Sequence, residues 1–460
     1  MLFTIIAAKQ DGTRAKFEYD NETNTLRAEN GTVFEYPGAD QRVEDRPEAV
    51  PFSIDAPLSK SRHVRLLKIQ LGLSCNYSCE YCSQRFVERP PETSRKDIEA
   101  FMRRLDALEF DEAAGLKIEF WGGEPLVYIK TLRPLVEAIN ERFREWKTKP
   151  RYSIITNGSL MTEEIASWLI GNCFAVAISH DGPGQHVRGP DPLEVPETRE
   201  AILGLYRALR PLGRISFNAM LNRANTSRKA IHEFFVKFTG DPNVILGEGS
   251  VVDAYDEGGY GSSLDTKAEH FAFRREAFND IYSTGGDIGF PGVIEKIDSF
   301  TRSVLSHREA RFLGQKCGMD DPHVLAIDLR GNVLTCQNVS AVETAPNGTS
   351  HCAGNIADMD QVRVHSAAHW RNRPNCSGCP VLQLCKGSCM FLEGDYWNAS
   401  CANSYSDNIV LFALSFERMT GFIPTYIGAP TLPPERRDIW GNLLQHEETP
   451  RRRTIPIKAV

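Results

Sequence analysis

Nowhere in these 460 residues do apolar side chains continue for the roughly 20 positions that a membrane-spanning helix requires. Membrane-spanning helices are therefore not expected. Cationic excess is missing too: 53 Lys and Arg stand against 60 Asp and Glu, for a net charge of −7. That balance provides no broad basic surface for nucleic acid or anionic lipid, and neither is expected as a partner. No internal repeat of solenoid length is visible. The apolar opening Met1–Ala8 has no basic leader and is stopped by Lys9, Gln10 and Asp11, which is too short for a signal peptide. The expected location is the cytoplasm, where thiols stay reduced. Twelve cysteines in such a chain suggest metal before disulfide.

A chain of this length predicts two or three domains. Residues 3–36 read as a small β-meander, with strands at 3–8, 15–19, 25–28 and 32–36 and turns at Asp11-Gly12, Asn21 and Asn30-Gly31. Residues 37–60, with four prolines and mixed charge, read as a linker. Strand-like runs then recur at 65–71, 116–121, 152–156, 173–179, 214–220 and 243–251. Helical runs lie between or after them at 94–109, 128–147, 161–170, 196–210, 227–239 and 264–283. This alternation predicts an α/β fold with parallel strands in an open or partial barrel, its chemistry at the C-terminal strand ends. A further helix is expected near 291–307 and another at 405–419. Residues 317–401 are rich in Cys, Gly and Pro and look organised by metal. The expected division is 1–60, 61–307, 308–424, and a solvated tail at 425–460 containing Arg436-Arg437 and Arg451-Arg452-Arg453.

Cys75, Cys79 and Cys82 follow the first of these strands in C-x3-C-x2-C spacing. The triplet has one thiolate fewer than a closed four-ligand site. One reading is zinc completed by a distant histidine. The other is a 4Fe–4S cube with one iron free to bind a substrate or cofactor. Three more segments sit at strand ends: Phe120-Trp121-Gly122-Gly123-Glu124-Pro125, Thr156-Asn157-Gly158, and Ser179-His180-Asp181-Gly182 followed by His186 and Arg188; Asn218 lies in the fifth strand. The paired glycines permit close backbone approach to a ligand, and Glu124 provides an acceptor for an ammonium group. Asp181-Gly182 alone reads as a turn.

In order and spacing, residues 64–251 resemble the radical S-adenosylmethionine superfamily, which implies a partial (β/α)6 barrel. By that resemblance Cys75, Cys79 and Cys82 hold a 4Fe–4S cluster whose open iron takes the amino acid portion of S-adenosylmethionine. Gly122, Gly123 and Glu124 then belong to the cofactor's amino-group motif, Tyr81 to the adenine site, Ser179 to the ribose and Arg188 to the carboxylate.

A second array follows: Cys317, Gly331, Cys336, then Cys376-x2-Cys379-x5-Cys385-x3-Cys389 and Cys401. Zinc knuckles would explain C-x2-C alone. The full order resembles the SPASM domain, which implies two auxiliary 4Fe–4S clusters. The first would be held by Cys317, Cys336 and Cys389, with Cys352 or an open iron as the fourth position. The second would be held by Cys376, Cys379, Cys385 and Cys401. Cys173, at the start of an apolar strand, reads as core.

The resemblance implies an enzyme that uses a 5′-deoxyadenosyl radical to modify a ribosomally made precursor peptide with a leader segment, installing a thioether, C–C or C–O crosslink. It also implies an external low-potential electron donor. The meander's edge would suit a leader strand. The alternative is an anaerobic sulfatase maturase making formylglycine. Those enzymes usually carry an aspartate where this chain has Gln337, an amide that is no useful base; Glu248, Asp253 and His180 are other candidate bases. A cluster-bearing electron carrier is disfavoured, because it gains nothing from an open iron.

Overall fold

The structure, a computed structural model, describes residues 1–37, 48–49, 51–345, 347–365 and 369–442. Residues 38–47 and 50 of the linker read at 37–60, and Arg451–Arg453 of the tail, lie outside the described residues.

Six parallel strands form the barrel: β5 (Leu66–Gln70), β6 (Lys117–Trp121), β7 (Arg151–Thr156), β8 (Ala175–Ser179), β9 (Ile215–Leu221) and β10 (Leu246–Val251). They are preceded by β1 (Leu2–Ala8), β2 (Arg14–Asp20), β3 (Thr25–Ala28) and the short β4 (Leu58–Ser59). The crossovers carry α1 (Ile98–Arg104), α2 (Ile129–Arg142), α3 (Glu163–Gly171), α4 (Pro196–Leu209) and α5 (Arg228–Thr239). After β10 come α6 (Glu257–Ser262), α7 (Lys267–Ser283) and α8 (Pro291–Leu305).

Strand alternation makes two faces. On β9, Ile215, Phe217, Ala219 and Leu221 are buried, while Ser216, Asn218 and Met220 alternate on the other face. On the buried side Phe120, Tyr152 and Phe174 cluster, with Tyr152 and Phe174 centroids 5.3 Å apart. Register sets Lys68 beside Glu119, Glu119 beside Ser153, and Ser153 beside Ala175 along the opposite face. That row is the lumen.

The cysteine-rich region does not stand apart as the boundary at 308 implied. β11 (Val324–Asp328) pairs in parallel with β5, and β12 (Asn332–Leu334) and β13 (Cys352–Asn355) continue antiparallel, so nine strands form one sheet. The cause is the apolar run Leu325-Ala326-Ile327, fully buried against the barrel. β14 (Arg363–Val364) pairs with β4, and α9 (Leu382–Cys385) lies among the later cysteines.

The N-terminal meander is not self-contained either. Its expected fourth strand at 32–36 is reduced to an isolated bridge between Arg27 and Val33, and Tyr36 donates to the Leu305 carbonyl of α8. The fourth strand is instead β15 (Ile423–Gly428), antiparallel to β1 in the order β15-β1-β2-β3. This sheet lies on α10 (Gly394–Thr420), where Phe17 meets Phe416 edge-on at 5.0 Å. α10 starts eleven residues before the helix expected at 405, because its first half is polar and lacks an apolar period. The solvated tail read from 425 is likewise corrected. Ile427, Ile439 and Trp440 are buried, and α11 (Pro434–Arg437) packs beside β15.

Candidate functional site

The loop after β5 brings Cys75, Cys79 and Cys82 together at the barrel mouth. Burial pushes the Cys79 thiol up to about 12; Arg188 opposes this, and Cys82 and Cys75 reinforce it. Burial also raises Cys75 and Cys82. The loop is tied to the end of β6: Gly123 N–H donates to the Gly72 carbonyl at 3.1 Å, and Glu124 N–H to that of Ser74 at 3.0 Å. A Cβ on Gly122 would stand 2.6 Å from the Gly72 oxygen, and one on Gly123 2.5 Å from those of Leu73 and Ser74. The close approach that the glycines permit is thus to the cysteine loop's own backbone, a structural demand the motif alone did not disclose.

Glu124, 1% exposed, accepts from Leu126 N–H at 2.9 Å, Thr156 Oγ1 at 2.7 Å and Asn157 N–H at 2.7 Å. It joins the ends of β6 and β7. Burial raises its pKa against these bonds. Oε2 takes one of the three hydrogen bonds, so it retains capacity for another donor.

Asp181 is a hub that sequence reading took for a turn residue. It is fully buried; Tyr81 donates its hydroxyl to Oδ2, and Met220 N–H donates to Oδ1 at 2.9 Å. Arg188 Nε lies 3.0 Å from Oδ1, and the guanidinium stacks 5.5 Å from the Tyr81 ring centroid. The Asp181 carboxylate raises the Arg188 pKa against burial, with Tyr81 and Cys79 adding to it. Ser179 sits beside Asn218 in register at the end of β8. An acid directly after a strand, with an arginine seven residues on, was the available signal for this hub.

His180 is not a free base. Its Nδ1 accepts from Gly182 N–H at 3.0 Å, which leaves Nε2 to donate to Asp191 at 2.9 Å. Cys173 is exposed at a positive φ of 57° just before β8, rather than in the core as read.

The later cysteines form two groups. Cys336 is raised to about 12, chiefly by burial, and Cys317 and Cys389 are among the neighbours acting on it. Tyr255 hydrogen-bonds Cys389. Cys352 points Sγ at the Gly354 carbonyl at 3.4 Å and is not among the leading influences on those three thiols. Cys376, Cys379, Cys385 and Cys401 line one cavity with Leu382 and Trp397, and each of the first three feels Cys401. Arg436 of α11 donates to Cys401 Sγ at 3.2 Å. It comes from the segment read as tail, and no spacing rule links it to a cysteine 35 positions away.

Among the described residues no group of three His, Cys, Asp or Glu side chains is disposed around a single metal ion. A cube makes a different demand, since each thiolate binds a separate iron. The donor sets fit it: clustered, mostly part-buried thiols, cations Arg188 and Arg436 beside them, and a cavity walled by four of the cysteines.

Comparison with known proteins agrees with this geometry. Residues 69–233 match the family model of the Radical SAM superfamily. The chain is 22% identical over 377 residues to a radical SAM cyclopropyl synthase, TigE, of Paramaledivibacter caminithermalis, covering 74% of this chain and 71% of that protein. It is 27% identical over 135 residues to an uncharacterised protein of Methanocaldococcus jannaschii, which covers 29% of this chain and 44% of that protein. In fold it is similar to native anSMEcpe with bound AdoMet and Cp18Cys peptide, with a TM-score of 0.54 and 18% identity over 78% of this chain and 99% of that one. Motif order and strand topology agree with these matches, and residues 69–233 carry the pattern of the Radical SAM superfamily.

Proposed function

We propose that this enzyme is a peptide maturase with a C-terminal SPASM region, carrying three 4Fe–4S clusters and installing a crosslink in a ribosomally made precursor. The observation that supports it is the gathering of ten cysteines into groups of three, three and four. Cys75, Cys79 and Cys82 would hold the catalytic cluster. Cys317, Cys336 and Cys389 would hold the first auxiliary cluster, and Cys376, Cys379, Cys385 and Cys401 the second. Bound there, the catalytic cluster and S-adenosylmethionine supply a 5′-deoxyadenosyl radical able to abstract hydrogen from carbon.

The chain's own residues do the rest. Tyr81 and Arg188, fixed by Asp181, would line the adenine and carboxylate ends of S-adenosylmethionine, and Ser179 would face its ribose. Glu124 would accept from the cofactor's ammonium with the capacity left on Oε2. The small lumen side chains Ser153, Ala177 and Ser216 line one cavity together with Glu119 and Trp121. The relative's name, cyclopropyl synthase, favours carbon–carbon bond formation among the crosslinks. Formylglycine formation is the less favoured reading, because the residue after Cys336 is an amide bonded to Lys68 rather than a carboxylate.

Reduced, anaerobically reconstituted protein is expected to cleave S-adenosylmethionine to 5′-deoxyadenosine. With a precursor peptide encoded beside its gene, that peptide should lose two hydrogens. Failure to form 5′-deoxyadenosine would sink the reading. Turnover of a Cys- or Ser-type sulfatase peptide, with the neighbouring precursor left untouched, would move it to the sulfatase class.

A further inference from the structure

Lys68 stands on the lumen face of β5 with its side chain 11% exposed. Its Nζ donates to Oε1 of Gln337 at 3.3 Å. Gln337 directly follows Cys336, whose Sγ lies 3.7 Å from that same oxygen. One amide oxygen therefore stands between the ammonium and the sulfur. Gln70, two residues along β5, donates Nε2 to the carbonyls of Gln337 at 3.0 Å and Val339 at 2.7 Å. Together these bonds clamp the Cys336 loop to the barrel strand.

The charges around this contact are unequally shared. Glu119 Oε2 is 4.0 Å from Lys68, but Oε1 is 2.6 Å from Lys117 and Oε2 accepts from Trp121 Nε1 at 3.1 Å. The Lys68 ammonium also lies 5.5 Å from the Trp121 ring centroid. Asp320 stands near Cys317 and Asp253 near Cys389, whereas Lys68 lies within electrostatic reach of both Cys317 and Cys336. An amide at position 337 holds the lysine without neutralising it; a carboxylate there would cancel its charge.

We propose that Lys68, held by Gln337, raises the reduction potential of the first auxiliary cluster. An iron–sulfur cluster gains negative charge on reduction, and a fixed cation in a low-dielectric wall stabilises the reduced form. Lys68 is a positioning residue that acts on the cluster through space and through the Gln337 amide. This inference rests on the reading that Cys317, Cys336 and Cys389 hold a 4Fe–4S cluster.

The test uses full-length protein in which Cys75, Cys79 and Cys82 are all replaced by Ala, leaving the auxiliary clusters to titrate alone. About eight irons per chain are expected. An EPR-monitored redox titration should then resolve two midpoints. Lys68→Met is expected to move one of them to more negative potential and leave the other unmoved, and Lys68→Arg to restore it. Gln337→Glu keeps the lysine but neutralises it, and should give the same negative shift even where Lys68→Met does not fold. Full iron with both midpoints unmoved in Lys68→Met and Gln337→Glu would overturn the proposal. About four irons in the background protein would remove the cluster reading itself, and the proposal with it.

Discussion

Arg188 holds its Nε 3.0 Å from Oδ1 of Asp181, and both side chains are buried beside Cys79. The pair also receives the Tyr81 hydroxyl, so three residues from two loops lock the mouth of the barrel. Removing one partner of a buried pair strands the other charge. Asp181→Asn is therefore expected to destabilise the protein by about 3 kcal/mol, measured by urea denaturation, and to weaken S-adenosylmethionine binding through a misplaced Arg188. Unchanged stability would mean that water or another group already balances the guanidinium.

His270, His351 and His369 are buried and held to about 4, chiefly by loss of solvation. Their ordinary value is 6.5. As pH falls below that value the unfolded chain takes up protons that the folded chain refuses. Stability is thus fully present above pH 6.5 and declines as pH falls toward 4. Each histidine adds about 1.4 kcal/mol per pH unit to the slope within that window. His369, shut between Phe52 and Trp370, is the clearest case. His369→Phe should lower stability at pH 7, by loss of the bond from Arg371 N–H, yet flatten the decline between pH 6.5 and 4. Denaturation midpoints at pH 7 and pH 5 check both parts, and an equal decline in the two proteins would contradict the second.

Ile427 pairs with Ile5 across β15 and β1, and both side chains are fully buried. Ile427→Ala is expected to cost about 3 kcal/mol, a loss that a solvated tail would not show. Chemical denaturation reads the difference.

That contact also marks where the sequence ceased to be readable. The six barrel strands were legible because apolar residues alternate between turn signals, and the cysteines because their spacing carries a chemical meaning. β15 was not: Ile423-Pro424-Thr425-Tyr426-Ile427-Gly428 contains a proline, and Pro424 sits opposite Ala7 where the register shifts. Its partner is more than 400 residues away, and no local pattern encodes that pairing. Arg436 beside Cys401, and Lys68 beside Gln337, are likewise products of tertiary folding. The hub at Asp181 was hidden differently, since Asp-Gly satisfies a turn rule whether or not the carboxylate is buried.

Glu248 occupies the most informative backbone outlier. It has φ of 62° and is followed by Gly249 at 65°, inside a register shift between β10 and β9. A side chain in the left-handed region costs about 1–2 kcal/mol, and such strain gathers at functional sites. The bulge leaves Glu248 exposed midway along the last barrel strand, within electrostatic reach of Lys296 and Lys316. With His180 committed at both nitrogens, Glu248 would serve as the proton acceptor for a substrate. Glu248→Gly relieves the strain while freeing the unfolded chain, so stability should stay level or rise by up to about 1 kcal/mol. Formation of 5′-deoxyadenosine should continue, while modified peptide falls at least tenfold. Glu248→Gln, which keeps the strain and removes the charge, should lose product equally without the gain in stability. Full product formation by Glu248→Gln would show that the bulge serves shape and not proton transfer.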